Sequence, residues 1–511
     1  MKQDNFYITT PIYYPSGKPH MGHAYSSIIA DVFARFKKND NSNVFFLTGT
    51  DEHGLKIQNA AKKENMDPLM YCNKISKTFK DLSIQLNLSN DDFIRTTEKR
   101  HHDAVKDLWS KLIKSGDIYL SKYKGWYSVS DEAYYNEDEI IEKNGKKFSS
   151  FSGSDVEWVE EESFFFKLSA WEKRLLEFYK KNKKFILPES RRNEVIQFVK
   201  SGLKDLSISR TSFSWGIKVP EKNDHIIYVW LDALTNYLSA LNYPNTSDKL
   251  FKNFWPASLH VIGKDILRFH AIYWPAFLLA ANIEPPRRIF SHGWILSDDE
   301  KMSKSKGNIL DPLEIIDNYG IDELRYYLMK EVSHGSDGSI SLKNLQTCIN
   351  SDLANNYGNL CQRVFTFIKN NCNSKVKKSK KNSKSDQELI TKTNDLMNNL
   401  RDDMDNQNLN NYIKSVIKIS FLTNKYINDE EPWKLKKTDV PQMNNILYLA
   451  LEQIAKISIL LNPLMPKTTL KVLHALNIKN NLVNNNFLNG KNIFDEEIKI
   501  KELSILFKKY T

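Results

Sequence analysis

The chain has 511 residues, about three domains' worth at ~150 residues each, and 41% of them are hydrophobic, enough for several buried cores and too much for a short secreted module. Lysine and arginine number 73 against 62 acidic residues, and the net charge of +11 favours a polyanionic partner or substrate without identifying it. The four cysteines, Cys72, Cys348, Cys361 and Cys372, form no C-x-x-C pair, which excludes both a disulfide framework and a zinc knuckle.

Residues 1–5 are polar and run directly into a strand-like segment, so no signal peptide is read there and a cytoplasmic location is expected. Phe6, Tyr7, Ile8, Thr9 and Thr10 predict the first strand. A turn through Pro15, Gly17 and Pro19 follows, and then Tyr25, Ile28, Ile29, Val32, Phe33 and Phe36 draw one apolar helical face. Val44, Phe45, Phe46 and Leu47 predict a second strand, and the strand–helix–strand order predicts a parallel α/β sheet. The pattern resumes at Leu259, His260, Val261 and Ile262, leads into a helix expected from Ile266, and continues with a strand at residues 288–291. The longest apolar run, residues 271–283, contains Pro275 and falls short of the ~20 residues a membrane span needs.

One sheet therefore reads as split, residues 1–114 and 224–345, around an inserted domain at 115–223 rich in aromatics such as Trp126, Tyr127, Trp158 and Phe164. Beyond residue 346 the periods are long and helical, as in Leu449, Ile454, Ile457, Leu460 and Leu461, and predict an α-helical bundle. Residues 375–384 carry six lysines, a solvated loop or a phosphate-contacting patch.

Chemistry concentrates in two places. His20, Met21, Gly22 and His23 sit where the first strand has ended and the first helix begins, and unpaired N–H groups at a helix start attract phosphate. Gly22 lets a nucleotide approach the backbone, and the two histidines can donate to phosphate oxygens, although two histidines near a turn are often incidental. Lys301, Met302, Ser303, Lys304 and Ser305 lie in a polar loop; paired lysines there can neutralise charge as pyrophosphate leaves, or simply be solvated.

These two motifs resemble the HIGH and KMSKS signatures of the class I aminoacyl-tRNA synthetases. The stretches Thr10-Pro11-Ile12-Tyr13-Tyr14, Gly49-Thr50-Asp51-Glu52-His53-Gly54, Tyr228-Val229-Trp230-Leu231-Asp232-Ala233-Leu234 and Gly263-Lys264-Asp265-Ile266 are similar to those of the methionyl branch. The resemblance implies a Rossmann-like parallel-sheet catalytic domain split by a connective domain and followed by a helical anticodon-binding domain. It implies that ATP with Mg2+ activates methionine to methionyl-adenylate and that methionine is then esterified to tRNA(Met). His20, His23, Lys301 and Lys304 would be catalytic, and His20, Gly22, His23, Asp265, Lys301, Ser303 and Lys304 would bind ATP. Methionine would lie among Ile12, Tyr13, Asp51, Trp230, Ala233, Leu234, Tyr237, Ile266 and His270, with Asp51 on its ammonium group. Asp51 and Asp265 also read as helix caps. Trp230, Ala233, Leu234 and Tyr237 share one helical face, which in isolation reads as ordinary core. Selection of a thioether rests on shape and aromatic contact with sulfur, to which Tyr13 or His270 could add one weak donor. Asn359, Arg363 and Trp433 match the anticodon-reading positions; without the resemblance Trp433 reads as core.

Two departures stand out. Where relatives carry zinc-knuckle cysteines, this chain has Ser128 and Asp131, so a metal-free insertion without structural zinc is expected. No β-barrel follows Thr511, so a monomer is expected. The alternatives are a sister class I synthetase for leucine, isoleucine, valine or cysteine, and a nucleotidyltransferase with the same H-x-G-H site. The 115–223 insertion is too short for the editing domain of the first three.

Overall fold

The computed structural model describes residues 4–510 except 130, 132, 136, 144, 151, 298–299, 302–309, 333–334 and 380. Contacts divide the chain into two compact units, one of residues 5–30 and 45–293, the other of residues 1–4, 31–44 and 294–511.

Along the chain β1 (Asn5–Thr9) leads into α1 (Met21–Asn39), whose residues from Asp31 on belong to the second unit, then β2 (Asn43–Thr50), α2 (Leu55–Lys63), α3 (Pro68–Gln85), β3 (Asp92–Arg95) and α4 (Lys99–Lys114). The apolar face read from sequence is the buried face of α1: Tyr25, Ile28, Ile29, Val32, Phe33 and Phe36 are all inaccessible or nearly so. Asp67 caps α3 by accepting from the Leu69 and Met70 amides, and Pro68 sits at its first position.

The central sheet has six strands in the order β3, β2, β1, Leu259–Gly263, Ile289–His292 and Ile186–Leu187. Ile8 pairs with Leu259, Gly263 with His292, and Thr50 with Arg95, all in parallel. Strand order reverses direction beside β1, which opens a crevice at the carboxyl edge, where open α/β sheets bind ligands. This is the Rossmann-like α/β fold that the first segment implies. Residues 186–187, from within the 115–223 segment, pair with Ile289 and Phe290 and complete the sheet.

The rest of that segment combines antiparallel strands with two helices, Glu172–Lys181 and Glu189–Lys200, whose buried residues join the core of the central sheet. Ile118–Ser128 pairs with Glu157–Phe166 over ten positions, from Ile118 with Phe166 to Tyr127 with Glu157. Around Ser128 and Asp131, hydroxyls converge on one carboxylate. Asp131 accepts from Tyr135 Oη at 2.8 Å, from Ser154 Oγ at 2.9 Å and from Ser152 Oγ, while its own N–H donates to Ser128 Oγ at 3.4 Å. Among the described residues no group of three or more His, Cys, Asp or Glu is placed to hold a metal ion.

The second unit is mainly helical after residue 342. Leu409–Glu430 and Val440–Leu461 are its longest helices, and most of Val440–Leu461 is buried. Ser383 and Asp386 form a reciprocal capping box at the start of Lys384–Met397. One short antiparallel pair, Lys375–Lys377 with Glu497–Lys499, interrupts the helices, and Glu497 lies 3.8–3.9 Å from the ammonium groups of Lys375, Lys377 and Lys499. No helix among the described residues is long and apolar enough to cross a membrane.

Candidate active site

Three of the segments singled out in the first unit, and His292 beside them, lie at the carboxyl edge of the central sheet. His20 and His23 follow β1, Asp51 follows β2, Asp265 follows Leu259–Gly263, and His292 ends the next strand.

At the first of these, local backbone geometry fixes the protonation pattern of both imidazoles. The Gly22 amide donates to His20 Nδ1 at 3.1 Å, and the His20 amide donates to His23 Nδ1 at 3.1 Å. An amide can only donate, so both Nδ1 atoms accept, and the proton of each neutral ring lies on Nε2. The rings lie 3.8 Å apart. Desolvation lowers the basicity of both; His23, packed against Tyr13 and Phe79, is held well below its ordinary value, with His20 opposing a second charge. The pair therefore offers two neutral N–H donors. Gly22 leaves room for this packing, since a Cβ there would lie 3.0 Å from His20 Cε1 and the ring would have to shift.

The nearby Asp265 carboxylate acts on both His20 and His292, raising the basicity of each. Asp265 is exposed and is not a helix cap: the turn Lys264–Ile266 has Gly263 at its cap position and no side-chain cap bond. Gly263 leaves room for it, because a Cβ there would lie 2.5 Å from Asp265 Oδ1. The helix expected from Ile266 is instead a 3-10 turn followed by a π turn, Phe269–Tyr273, before the α-helix Trp274–Ala280 begins. A π turn widens the helix and swings His270 and Phe269 off the α-helical face.

Asp51 is buried, and its amide donates to the Tyr13 carbonyl at 2.9 Å. It is not a helix cap either, because α2 has Gly54, with φ of 105°, at that position. The segment 51–54 is held on every side. Glu52 binds Arg95 through two bonds of 2.7 and 2.9 Å, its amide donates to Thr96 Oγ1 at 2.8 Å, and its carbonyl accepts from Trp215 Nε1 at 2.6 Å. Tyr14 Oη donates to the His53 carbonyl at 2.7 Å.

Trp230, Ala233, Leu234 and Tyr237 lie on two short helices, Val229–Leu234 and Asn236–Ser239. Trp230 stacks on Phe269 with centroids 3.7 Å apart and planes 3° from parallel, and meets the His270 ring edge-on at 6.2 Å. Ile12 and Ile266 are half-buried and pack on the same core as Trp230. The structure thus gathers aromatic rings around Tyr237 and His270. Phe269 and His260, whose ring lies 4.1 Å from that of Tyr237, belong to this cluster and carried no motif that could flag them.

The expected weak donor to a thioether is not supplied by Tyr13 or His270. Tyr13 Oη is engaged with Ser27 Oγ at 2.7 Å and the His23 carbonyl at 3.3 Å. His270 Nδ1 lies 3.0 Å from the Ile266 carbonyl, so it must donate, leaving Nε2 to accept from Tyr237 Oη at 2.7 Å. Burial holds the His270 pKa down at about 4, so no second proton is available at neutral pH.

Lys301 falls in the two-residue strand Glu300–Lys301, paired with Leu296 and Ser297; Ser303 and Lys304 lie outside the described residues. In the helical unit Asn359 and Arg363 lie on Asn359–Asn371. Arg363 donates to Asn428 Oδ1 at 2.8 Å and sits 5.8 Å above the ring of Trp433, which is 41% exposed and so is not core.

Known proteins match this arrangement along the whole chain. The family described as tRNA synthetases class I (M) matches residues 6–365, and the anticodon binding domain of methionyl tRNA ligase matches residues 376–511. The methionine–tRNA ligase of Rickettsia typhi is 50% identical over 481 residues, covering 93% of this chain and 94% of its own. That of Rhizobium meliloti is 49% identical over 469 residues, covering 92% and 91%. The structure of Mycobacterium tuberculosis methionyl-tRNA synthetase in complex with methionyl-adenylate superposes with a TM-score of 0.96 at 43% identity, covering 99% of this chain and 100% of that one. At such identity and coverage, the chain belongs to the class I methionyl-tRNA synthetases.

Proposed function

We propose that the sheet-edge crevice is where this enzyme activates methionine with ATP, ahead of charging tRNA(Met). Methionine activation and tRNA charging are the activity of the family to which the chain belongs. The observation that carries the siting is the pair of neutral histidine N–H donors at the start of α1, next to Asp265.

The chemistry asks little covalent work of the protein. The methionine carboxylate attacks the α-phosphorus of ATP, the bond to the β-phosphate oxygen breaks, and pyrophosphate leaves; Mg2+ enters with ATP as part of the substrate. Positioning and charge stabilisation then set the rate. Neutral donors suit the His20 and His23 site, because they can follow charge as it spreads over phosphate oxygens without binding ground-state ATP as tightly as cations would. Asp265 suits a ribose hydroxyl, and Lys301, Ser303 and Lys304 suit the departing pyrophosphate. Asp51, held by the bonds of segment 51–54, takes the ammonium group. Tyr13, Trp230, Ala233, Leu234, Tyr237, Ile12, Ile266 and His270 enclose the side chain by shape and aromatic contact.

Anticodon reading belongs to Asn359, Arg363 and Trp433. The exposed indole can stack on an unpaired base while the guanidinium and the amide donate to base edges. The enzyme works as a monomer, in the cytoplasm, with no zinc in the insertion. Methionine-dependent exchange of pyrophosphate into ATP tests the reading. Exchange with methionine but not leucine is expected, and loss of exchange in His23→Asn with unchanged methionine binding assigns that ring to the ATP side.

A further inference from the structure

One buried ionic cluster beside the methionine site has no part in the scheme above. Asp232, on Val229–Leu234 between Trp230 and Ala233, is fully buried. Its Oδ2 lies 2.7 Å from His53 Nδ1 and its Oδ1 lies 2.7 Å from His101 Nε2, so both imidazoles turn an N–H to it. His101 is itself buried and reaches Ser239 Oγ at 2.9 Å through Nδ1. His102 lies behind His53, with ring centroids 5.3 Å apart. Burial alone would raise the Asp232 carboxyl, yet the two imidazoles outweigh it and hold the group below the usual carboxylate range.

A buried carboxylate is costly unless it is paired and hydrogen-bonded. The neighbouring Glu52 meets this cost with the Arg95 guanidinium. Asp232 does not: among the described residues the basic groups within salt-bridge distance of it are the two imidazoles only, which as neutral rings donate N–H bonds without cancelling its charge. His53 is also two residues from Asp51, on the segment that Asp51 shares.

We propose that Asp232, gripped between His53 and His101, is a positioning residue that determines selection of the substrate's ammonium group: its buried charge adds to that of Asp51, and its bond to His53 fixes the segment from which Asp51 projects. The inference rests on the reading of Asp51 as the ammonium partner. A buried, fixed carboxylate is screened less than an exposed one, so its charge is felt further. It discriminates against ligands lacking a positive charge without touching them.

The test uses the full-length enzyme and two inhibitors of methionine-dependent exchange. Methioninol keeps the ammonium group and lacks the carboxylate; 4-(methylthio)butanoate keeps the carboxylate and lacks the ammonium group. Asp232→Asn is isosteric and can bond both imidazoles after one tautomer change, so it removes charge and little else. The inhibition constant for methioninol is expected to rise about tenfold while that for 4-(methylthio)butanoate stays within twofold. Equal loss of both inhibitors, the mark of a merely structural residue, overturns the proposal, as does no loss of either. If Asp232→Asn does not fold, His53→Phe removes the bond through which the carboxylate fixes the Asp51 segment and is expected to show the same selective loss, about threefold; parallel or absent loss there overturns the proposal. Asp51→Asn separates the two readings. If it fails to weaken methioninol selectively, the Asp51 assignment falls; if it succeeds and Asp232→Asn does not, only the role of Asp232 falls.

Discussion

His270 commits both ring nitrogens, one to the Ile266 carbonyl and one to Tyr237, and burial brings its pKa to about 4. A histidine with a depressed folded value takes up a proton more readily when unfolded, near its ordinary 6.5. Its contribution is therefore fully present above about pH 6.5 and is lost as pH falls toward 4. Between pH 7 and pH 5 this one group accounts for about 2 kcal/mol. Urea midpoints are expected to fall over that interval in the wild type and to fall less in His270→Gln; an equal fall in both refutes the linkage. Gly22→Ala separates chemistry from stability at the same scale. Alanine favours the helix by up to about 1 kcal/mol, but its Cβ would meet His20 Cε1 at 3.0 Å. Thermal stability should hold or rise while the exchange turnover falls about tenfold at unchanged methionine KM. That His20, Gly22 and His23 fall at a helix start and Asp51 at a strand end was legible in the sequence because local spacing carries it. The spent donors of Tyr13 and His270 were not, since Ser27 and Tyr237 reach them only through folding.

Elements join through a buried ion pair in the second unit. Arg325, fully buried on Ile321–Glu331, donates to Asp31 Oδ2 at 2.6 Å and to the carbonyls of Pro463 at 2.7 Å and Leu464 at 2.9 Å. Asp31 also accepts from Arg35 Nε at 2.7 Å. One guanidinium thus ties α1 to the end of Val440–Leu461. Asp31→Ala leaves that charge uncompensated and should cost about 3–5 kcal/mol, whereas Asp31→Leu with Arg325→Met should recover most of the loss. Thermal unfolding of the single and double variants checks this; equal destabilisation by both would mean that packing, not charge, is at stake. At this scale the period of α1 was legible as a buried face. The π turn at Phe269–Tyr273 was not, because an apolar run satisfies a helix of either pitch, and the hydrogen-bond register that separates them leaves no mark on residue type.

Across the whole molecule the proposed reading assigns the two half-reactions to different stretches of chain: activation to residues from Ile12 to His270 with the motif at 301–305, and recognition of tRNA to helices beyond residue 346. A parallel sheet interrupted by an aromatic segment and followed by long helices could be read from the order of periods alone, since each period reports a different buried surface. Which surface residues of the helical part meet RNA could not, because an exposed indole and a core indole look alike in sequence. The structure separates them: Trp433 is 41% exposed, follows Glu431 in a left-handed backbone conformation with φ of 40°, and lies beneath the Arg363 guanidinium. The ring is exposed and lies outside the buried core, so Trp433→Ala should leave thermal stability and methionine-dependent exchange unchanged. Loss of one base stack, about 1–3 kcal/mol, should lower kcat/KM for charging of cognate tRNA roughly five- to 150-fold. Charging at the wild-type rate would remove Trp433 from the RNA surface, and parallel loss of exchange would make it a structural residue despite its exposure.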